Sequence, residues 1–188
     1  MEKAPEKAVE QFSQLQSIST TALDELRHLI ADLRPSHLDV LGLVAALRWY
    51  SEQVTQRYSI PIEFKVIGEI VRLSPELETT LFRIAQEGLS NIVKHAGSQH
   101  VWLLLTFDPD SVHMKLRDDG RGFDLAKVLQ PGAGRAWGLI GIQERVALAG
   151  GEMTIKTHPG GGTILAIRVP AMPLIDQELE RQENHVTN

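Results

Sequence analysis

The run that decides the fold is QEGLSNIVKHA, residues 86–96. Its polar residues Glu87, Asn91, Lys94 and His95 recur at helical spacing, so a helix gathers them on one side. The opposite side of the same helix is apolar and contains Leu77, Leu81, Ile84, Ala85 and Ile92. The run therefore predicts a helix that is buried on one side and carries polar side chains on the other.

The two ends of this helix are marked by local signals. Ser74 is a typical N-cap residue, Pro75 suits the first helical position, and acidic residues follow in the first turn. Gly97 is typical of a residue that ends a helix. The sequence therefore predicts one helix from about residue 75 to about residue 96.

Alternating apolar residues predict strands on both sides of this helix. Residues 101–107 and 112–118 alternate around the turn Asp108-Pro109-Asp110, which predicts a hairpin. Further strands are predicted at 62–66, 153–156 and 163–169, and a helix at 139–149 that ends at Gly150-Gly151. This order predicts an α/β fold, a two-layer α/β sandwich in which helices cover a mixed sheet, with an N-terminal helical arm.

The residues before the sheet predict two helices. Apolar positions from Val9 to Leu33 step by three and four beside a second stripe, which fits a four-helix bundle or a single amphipathic helix lying on its own domain. Arg34-Pro35 ends that helix. A second helix runs to about Tyr58, with Leu38, Leu41, Val44, Ala45, Leu47 and Trp49 on its apolar side. The predicted organisation is an arm at 6–34, a connecting helix at 35–60, the mixed domain at 61–170 and a polar tail at 171–188.

Composition excludes several classes of protein. The chain has 188 residues, 43% hydrophobic and 23% charged, which suits one main domain with an arm. It has no cysteine, so disulfides and thiolate metal sites are excluded. The first residues lack the apolar core of a signal peptide, and no run approaches the roughly 20 apolar residues of a membrane span. A net charge of −5 without a long basic run argues against nucleic acid as a partner.

The alternation of inward and outward residues along a strand identifies the first candidate ligand-binding residue. Asp118 continues the inward series Val112, Met114 and Leu116, whereas Asp119 continues the outward series. A carboxylate on the apolar face needs a donor, and an adenine amino group in a flat slot supplies one. Gly120 and Gly122 then let the backbone approach the ring. Alone, the same residues also fit an ordinary turn after a strand.

The polar side of the first helix suits the phosphates of a nucleotide. The neutral oxygen of Asn91 suits Mg²⁺ that is shared with phosphates, and Lys94 lies one turn away as a point charge. Glu87 is placed to polarise a nucleophile or to hold a metal-bound water. The alternative for these residues is a solvated helix face.

Two later elements complete a candidate pocket for Mg-ATP. Residues 125–137 lack periodicity and are long enough for a functional flap. Gly138 opens a helix directly after it, where backbone N–H groups bind phosphate. Thr163 shares parity with Leu165, so its hydroxyl faces the core side and needs a partner.

Four runs resemble the ATP-binding domain of two-component sensor histidine kinases, within the fold shared with gyrase-type ATPases, Hsp90 and MutL. They are QEGLSNIVKHA at 86–96, DDGRGF at 118–123, GLIGIQER at 138–145, and GGT at 161–163 through Pro170. Upstream, Leu33-Arg34-Pro35, Leu38 and Gly42-Leu43 resemble the subgroup typified by nitrate and nitrite sensors and the desaturase-regulating thermosensor.

The resemblance implies a role for each matching residue. Glu87 is the implied catalytic carboxylate and Asn91 the implied Mg²⁺ ligand, while Lys94 contacts phosphate with His95 beside it. Asp118 binds adenine in a pocket shaped by Gly120 and Gly122. By the same resemblance, Gly138 would border the phosphates, Leu139 would be a further ATP-binding residue, Thr163 would complete the adenine side, and 125–137 would form the ATP lid.

The resemblance also implies cofactors and partners: ATP with Mg²⁺, a cognate response regulator, and a homodimer in the full-length protein, in the cytoplasm or as the cytoplasmic part of a membrane-anchored kinase. Residues 6–34 resemble the second helix of the dimerisation hairpin, and the family's acceptor run Arg-x-x-x-x-His-Asp is missing from the sequence. His28 lacks the acid that follows the acceptor. We therefore expect the acceptor histidine and the sensor to lie upstream in a larger kinase. The rival interpretations are an anti-sigma-factor-type serine kinase and a non-catalytic ATP-binding docking module.

Overall fold

The computed structural model describes residues 36–128 and 137–170. The predicted arm, the polar tail and most of the predicted lid lie outside these residues. The described elements are α1 (Ser36–Tyr58), β1 (Ile62–Ile67), α2 (Pro75–Asn91), a π-helical turn (Ile92–Ala96), β2 (Val101–Phe107), β3 (Ser111–Asp118), α3 (Leu125–Val128), α4 (Trp137–Leu148), β4 (Glu152–Thr157) and β5 (Thr163–Pro170). No helix within the described ranges is long and apolar enough to cross a membrane.

The five strands form one mixed sheet in the order β1-β2-β3-β5-β4. The pair β1 and β2 is parallel, and all other neighbours are antiparallel. Alternate residues of β2, β3 and β5 are buried, so one face of the sheet is covered by helices. The predicted α/β sandwich with a mixed sheet is therefore confirmed.

The core lies between this covered face and the helices. Phe82 and Leu89 of α2, Leu47 of α1, and Leu103 and Met114 of the sheet are fully or almost fully buried in one apolar cluster. Residues Ile142 and Val146 of α4 are buried in the same cluster. The helix that carries the candidate phosphate residues is thereby fixed against the strands that carry the candidate adenine residues.

Helix α2 begins as predicted. The hydroxyl oxygen of Ser74 accepts a hydrogen bond from the Leu77 N–H at 3.3 Å, and Pro75 occupies the first helical position. The helical region also ends where predicted, since Gly97 is left-handed with φ of 60°. The last residues differ from the prediction in type: Ile92–Ala96 form a π-helical turn rather than an α-helix. Such turns are frequent at functional sites.

The N-terminal end of α2 is tied to α1 by a buried charge. Glu78 is 3% exposed and lies 3.3 Å from the guanidinium of Arg72, which also donates to the carbonyl of Leu38 at 3.1 Å. The Glu78 carboxylate additionally accepts from the Leu73 N–H at 3.4 Å. These contacts hold the start of α1 and the start of α2 together.

The apolar side predicted for α1 is wrong in part. Leu41 is 57% exposed and Trp49 44% exposed, whereas Leu43 and Ala46 are buried. The cause is Gly42, whose φ of 80° and ψ of 174° interrupt the helix. Residues before and after this kink do not share one helical periodicity, so a single continuous stripe misplaces them.

Candidate functional site

A cavity of about 780 Å³ opens between the C-terminal end of α2, the ends of β3 and β5, and the start of α4. This volume is of the size that small-molecule sites use. The predicted site residues that line it are Asn91, Lys94, His95, Asp118, Gly122, Gly138, Leu139 and Thr163. The structure therefore brings together residues that are far apart in the sequence.

Glu87 and Gly120, the other predicted site residues, adjoin the cavity without lining it. A side chain on Gly138 would collide with the Glu87 carboxylate, and its Cβ would stand 3.1 Å from the amide nitrogen of Asn91. Gly120 is needed for another close approach, because a Cβ there would stand 2.5 Å from the carbonyl oxygen of Ala96. Glycine at these two positions lets the start of α4 and the loop after β3 pack against the end of the α2 region, which is α2 together with the π-helical turn that follows it.

Asp118 is buried as strand parity predicts, with 4% of its surface exposed. One carboxylate oxygen accepts a hydrogen bond from the Gly120 N–H at 2.8 Å. Burial raises the pKa of Asp118, and hydrogen bonds from Gly120 and Thr163 oppose that rise. A carboxylate has acceptor sites beyond these two donors, so Asp118 is equipped to receive a further donor from a ligand.

Thr163 lies opposite Asp118 in the register of β3 and β5 and lines the cavity beside it. Its hydroxyl is 3.2 Å from that of Thr157 on β4. Thr157 also donates to the Gly162 carbonyl at 3.0 Å and accepts from the Phe123 N–H at 3.1 Å. Sequence reasoning missed Thr157 as a support of this side of the cavity; its only signal was its position opposite Thr163 across the turn.

Asn91 is half-buried at the last position of α2. Its amide nitrogen is fully buried and has no hydrogen-bond partner among the described residues. A buried polar group of this kind needs an explanation. Lys94 and His95 follow on the π-helical turn, where both are exposed and line the cavity.

The rest of the wall is apolar. It is built by side chains from the α2 region, the sheet, the loop after β3 and two more helices; these are Ile92, Leu116, Leu165, Phe123, Val128 and Ile142. An apolar slot with a few convergent polar groups is the usual composition of a ligand site. Within residues 36–128 and 137–170, no group of three or more His, Asp or Glu residues is arranged to hold a metal ion by itself.

The loop after β3 is bonded to the end of the α2 region at two further residues, which sequence reasoning did not include in the site. Arg121 lines the cavity, and its Nε donates to the His95 carbonyl at 2.7 Å. The exposed carboxylate of Asp119 accepts from the N–H groups of Gln99 and His100 at 2.8 and 2.9 Å. The hydrogen bond from the His100 N–H is the main reason that the pKa of Asp119 is lowered.

The family model for the histidine kinase-, DNA gyrase B- and HSP90-like ATPases matches residues 76–173, more than half of the chain. The chain belongs to this family. A second model, described as histidine kinase, matches residues 1–38.

Individual relatives agree with this assignment. The chain is 40% identical over 141 residues to the signal transduction histidine-protein kinase/phosphatase DegS of Bacillus subtilis, a match that covers 73% of this chain and 36% of DegS. It is 32% identical over 165 residues to the oxygen sensor histidine kinase NreB of Staphylococcus carnosus, covering 88% of this chain and 47% of NreB. The predicted resemblance to sensor histidine kinases is confirmed.

A solved structure shows the same fold. The histidine kinase domain of the blue-light activated histidine kinase of Erythrobacter litoralis EL346 superposes with a TM-score of 0.55 at 23% identity, covering 68% of this chain and 60% of that one. The chain spans less than half the length of DegS and NreB.

Proposed function

We propose that this chain is the ATP-binding catalytic part of a two-component sensor histidine kinase, which transfers the γ-phosphoryl group of ATP to a histidine on a dimerisation helix. The observation that carries the proposal is the buried Asp118 in the wall of a largely apolar cavity that Asn91, Lys94 and His95 also line. The apolar wall with its buried carboxylate suits a flat base, and Asn91 and Lys94 suit phosphates.

In this proposal Asp118 recognises adenine. The exocyclic amino group of the base donates to the carboxylate, which has acceptor capacity beyond its bonds to Gly120 and Thr163. The apolar side chains of Ile92, Leu116 and Leu165 supply the surfaces on which a base packs. Burial makes this hydrogen bond selective, because a base without the amino donor would leave one acceptor site of the buried carboxylate without a donor.

Asn91 fits Mg²⁺. The oxygen and nitrogen of its carboxamide lie at similar distances, 3.3 and 3.1 Å, from the point where a Cβ on Gly138 would stand. A rotation of the carboxamide by about 180° therefore exchanges two groups of nearly equal size. The rotation replaces the buried, unpartnered nitrogen with an oxygen, which is the donor that Mg²⁺ prefers. One protein oxygen would be enough for Mg²⁺ if phosphates and water supplied the other ligands, and the bound ion would neutralise phosphate charge.

The remaining residues position the reacting groups. Lys94 provides a positive charge on the wall of the cavity for the phosphates, and His95 and Leu139 line the same cavity. Glu87 adjoins Asn91 next to Gly138, where it accepts the proton that the attacking imidazole loses. In the transfer, a nitrogen–phosphorus bond forms, the bond from the bridging oxygen to the γ-phosphorus breaks, and ADP leaves.

The whole protein's partners follow from the same proposal. The phosphohistidine is the donor for a cognate response regulator, and the full-length protein is a homodimer. The 40% identity to DegS and 32% identity to NreB, both named histidine kinases, support this placement in a two-component system. We propose that this catalytic part works in the cytoplasm, where ATP is available.

Two measurements test the proposal in sequence. Calorimetry of ATP, ADP and GTP with and without Mg²⁺ should show binding of both adenine nucleotides, a preference over GTP, and tighter ATP binding with Mg²⁺. Incubation with γ-labelled ATP and an added dimerisation domain carrying an acceptor histidine should then give a label on that domain that is labile to acid and stable to base. Absence of ATP binding would refute the nucleotide site, whereas binding without transfer would favour a docking module.

A further inference from the structure

We infer that Arg121 is a positioning residue that holds Lys94 and His95 at the phosphate side of the cavity, an inference that rests on the function proposed above. Arg121 belongs to the loop that begins at Asp118, and its side chain bonds to the turn that carries Lys94 and His95. It therefore joins the side of the cavity assigned to adenine to the side assigned to phosphate.

The contacts are short and converge on the end of one turn. The Nε of Arg121 donates to the His95 carbonyl at 2.7 Å, and its backbone N–H donates to the Ala96 carbonyl at 2.9 Å. The carbonyl of Arg121 in turn accepts from the Gly160 N–H at 2.6 Å, which fixes the loop to the turn between β4 and β5. Arg121 is thus held by its own backbone before its side chain bonds to His95.

The end of the α2 region needs such a partner. The last carbonyls of a helix have no N–H partner within the helix, and Gly97 leaves the helical conformation with φ of 60°. A cation at this end is also favourable to the helix dipole. Arg121 satisfies the two final carbonyls, those of His95 and Ala96, so it stabilises the π-helical turn in the form that places Lys94 and His95 at the cavity.

Asp119 supports the same junction from the other side. Its carboxylate accepts from the N–H groups of Gln99 and His100, directly after the turn. The two residues on either side of Gly120 therefore bond to the chain just before and just after Gly97. Substitution can remove the side chain of Arg121 or of Asp119 without altering the backbone hydrogen bonds, and of the two only Arg121 lines the cavity.

Two substitutions separate positioning from direct charge attraction. In Arg121→Gln, the amide nitrogen is attached to Cδ as Nε is in arginine, so the variant retains a donor for the His95 carbonyl but loses the charge. In Arg121→Lys, the charge remains, but the nitrogen is one bond farther from the backbone and the donor at the Nε position is lost. Arg168→Gln and Arg168→Lys, on an arginine that does not line the cavity, are the matched controls.

The first measurement is calorimetry with Mg-ATP and with adenosine. Positioning predicts that Arg121→Lys lowers ATP affinity about tenfold, as expected for the loss of one charge-assisted hydrogen bond. Adenosine affinity should stay within about twofold of the parent, because adenosine lacks phosphates, and Arg121→Gln should bind ATP within about threefold of the parent. Combining Arg121→Lys with Lys94→Ala should lower ATP affinity no further than Lys94→Ala alone, since the arginine acts through the turn that carries the lysine.

The second measurement needs no nucleotide. Amide hydrogen exchange at residues 92–97 of the chain without ligand should be about tenfold faster in Arg121→Lys than in the parent and unchanged in Arg121→Gln. If the parent binds no ATP but the two variants differ from it in exchange as described, the proposed function is refuted and the capping role of Arg121 stands.

Three results would overturn the inference. If Arg121→Lys behaves as the parent while Arg121→Gln loses ATP affinity, the arginine attracts phosphate by charge alone. If both variants match the parent in affinity and exchange, the bond to His95 has no positioning role. If affinity for adenosine falls as much as that for ATP, the substitution disturbs the whole cavity.

Discussion

Replacing Asp118 by asparagine separates the stability of the domain from its affinity for nucleotide. The substitution preserves size and retains an oxygen that accepts from the Gly120 N–H, but the second oxygen becomes an NH₂ donor. In the proposed complex, the carboxylate accepts from Gly120, from Thr163 and from the adenine amino group. Asparagine keeps only one of the two oxygens, so a donor that bonds to the second carboxylate oxygen must face the NH₂ group.

The size of the effect follows from this mismatch. Loss of a charge-assisted hydrogen bond in a buried site, with a donor left unsatisfied, costs about 3 kcal/mol, or about two orders of magnitude in the dissociation constant. At an ATP concentration of about 100 times the parent dissociation constant, ATP stabilises the parent by about 2.7 kcal/mol. The same concentration is then about equal to the variant's dissociation constant and stabilises the variant by only about 0.4 kcal/mol.

Without ATP, Asp118→Asn should not lower the stability of the folded domain. Burial raises the pKa of Asp118, so the charged carboxylate is less stable in the folded chain than in the unfolded chain. A raised carboxyl pKa means a penalty that is present above the folded pKa and is relieved as pH falls through it toward the ordinary value of 3.8. Asp118→Asn should therefore be as stable as the parent or more stable at pH 7, with any advantage shrinking as the pH falls through this window.

Thermal unfolding with and without Mg-ATP, supported by calorimetry, is the assay. The parent melting temperature should rise by about 5 to 11 °C in saturating ATP, against about 1 to 2 °C for Asp118→Asn. Equal ATP affinity in the two proteins would refute the adenine assignment. A large loss of stability in the unliganded variant would instead show that the ionised carboxylate supports the fold.

Three further substitutions test other parts of the molecule. Asn91→Ala should remove most of the difference between ATP affinities measured with and without Mg²⁺ while leaving adenosine affinity unchanged; an undiminished Mg²⁺ effect in calorimetry would contradict the ligand assignment. Gly122→Ala should lower the free energy of unfolding by about 2 kcal/mol more than Gly97→Ala in denaturant titration, because both glycines have positive φ but only at 122 would a Cβ collide with backbone carbonyls. Glu78→Gln should lower the free energy of unfolding by about 2 kcal/mol, since it breaks the ion pair between the buried Glu78 carboxylate and the partly exposed Arg72, and an unchanged denaturation midpoint would refute that role.

The sequence predicted those parts of the fold that local patterns specify. Alternation fixed the strands, and the Ser74-Pro75 signal placed the start of α2 at the residue where the structure has it. The inward direction of Asp118 also followed from parity with Leu116, without knowledge of any partner. The faces of α1 could not be predicted in this way, because Gly42 interrupts the periodicity from which the faces were inferred.

The candidate site was predicted as a set of side chains, and the structure adds the bonds that connect them. Arg121 and His95 are 26 residues apart, and Phe123 and Thr157 are 34 apart, so no helical or strand spacing relates either pair. The π-helical turn also has no propensity signal, because its residues continue the pattern of α2. Its form is better explained by what surrounds it: Gly120 admits the Ala96 carbonyl, and Arg121 bonds to the last two carbonyls of the turn. Residues that would contact ATP are therefore easier to predict from sequence than residues that hold them in place. A contact residue is recognised by its own chemistry, whereas a supporting hydrogen bond depends on two residues that are close only in the folded chain.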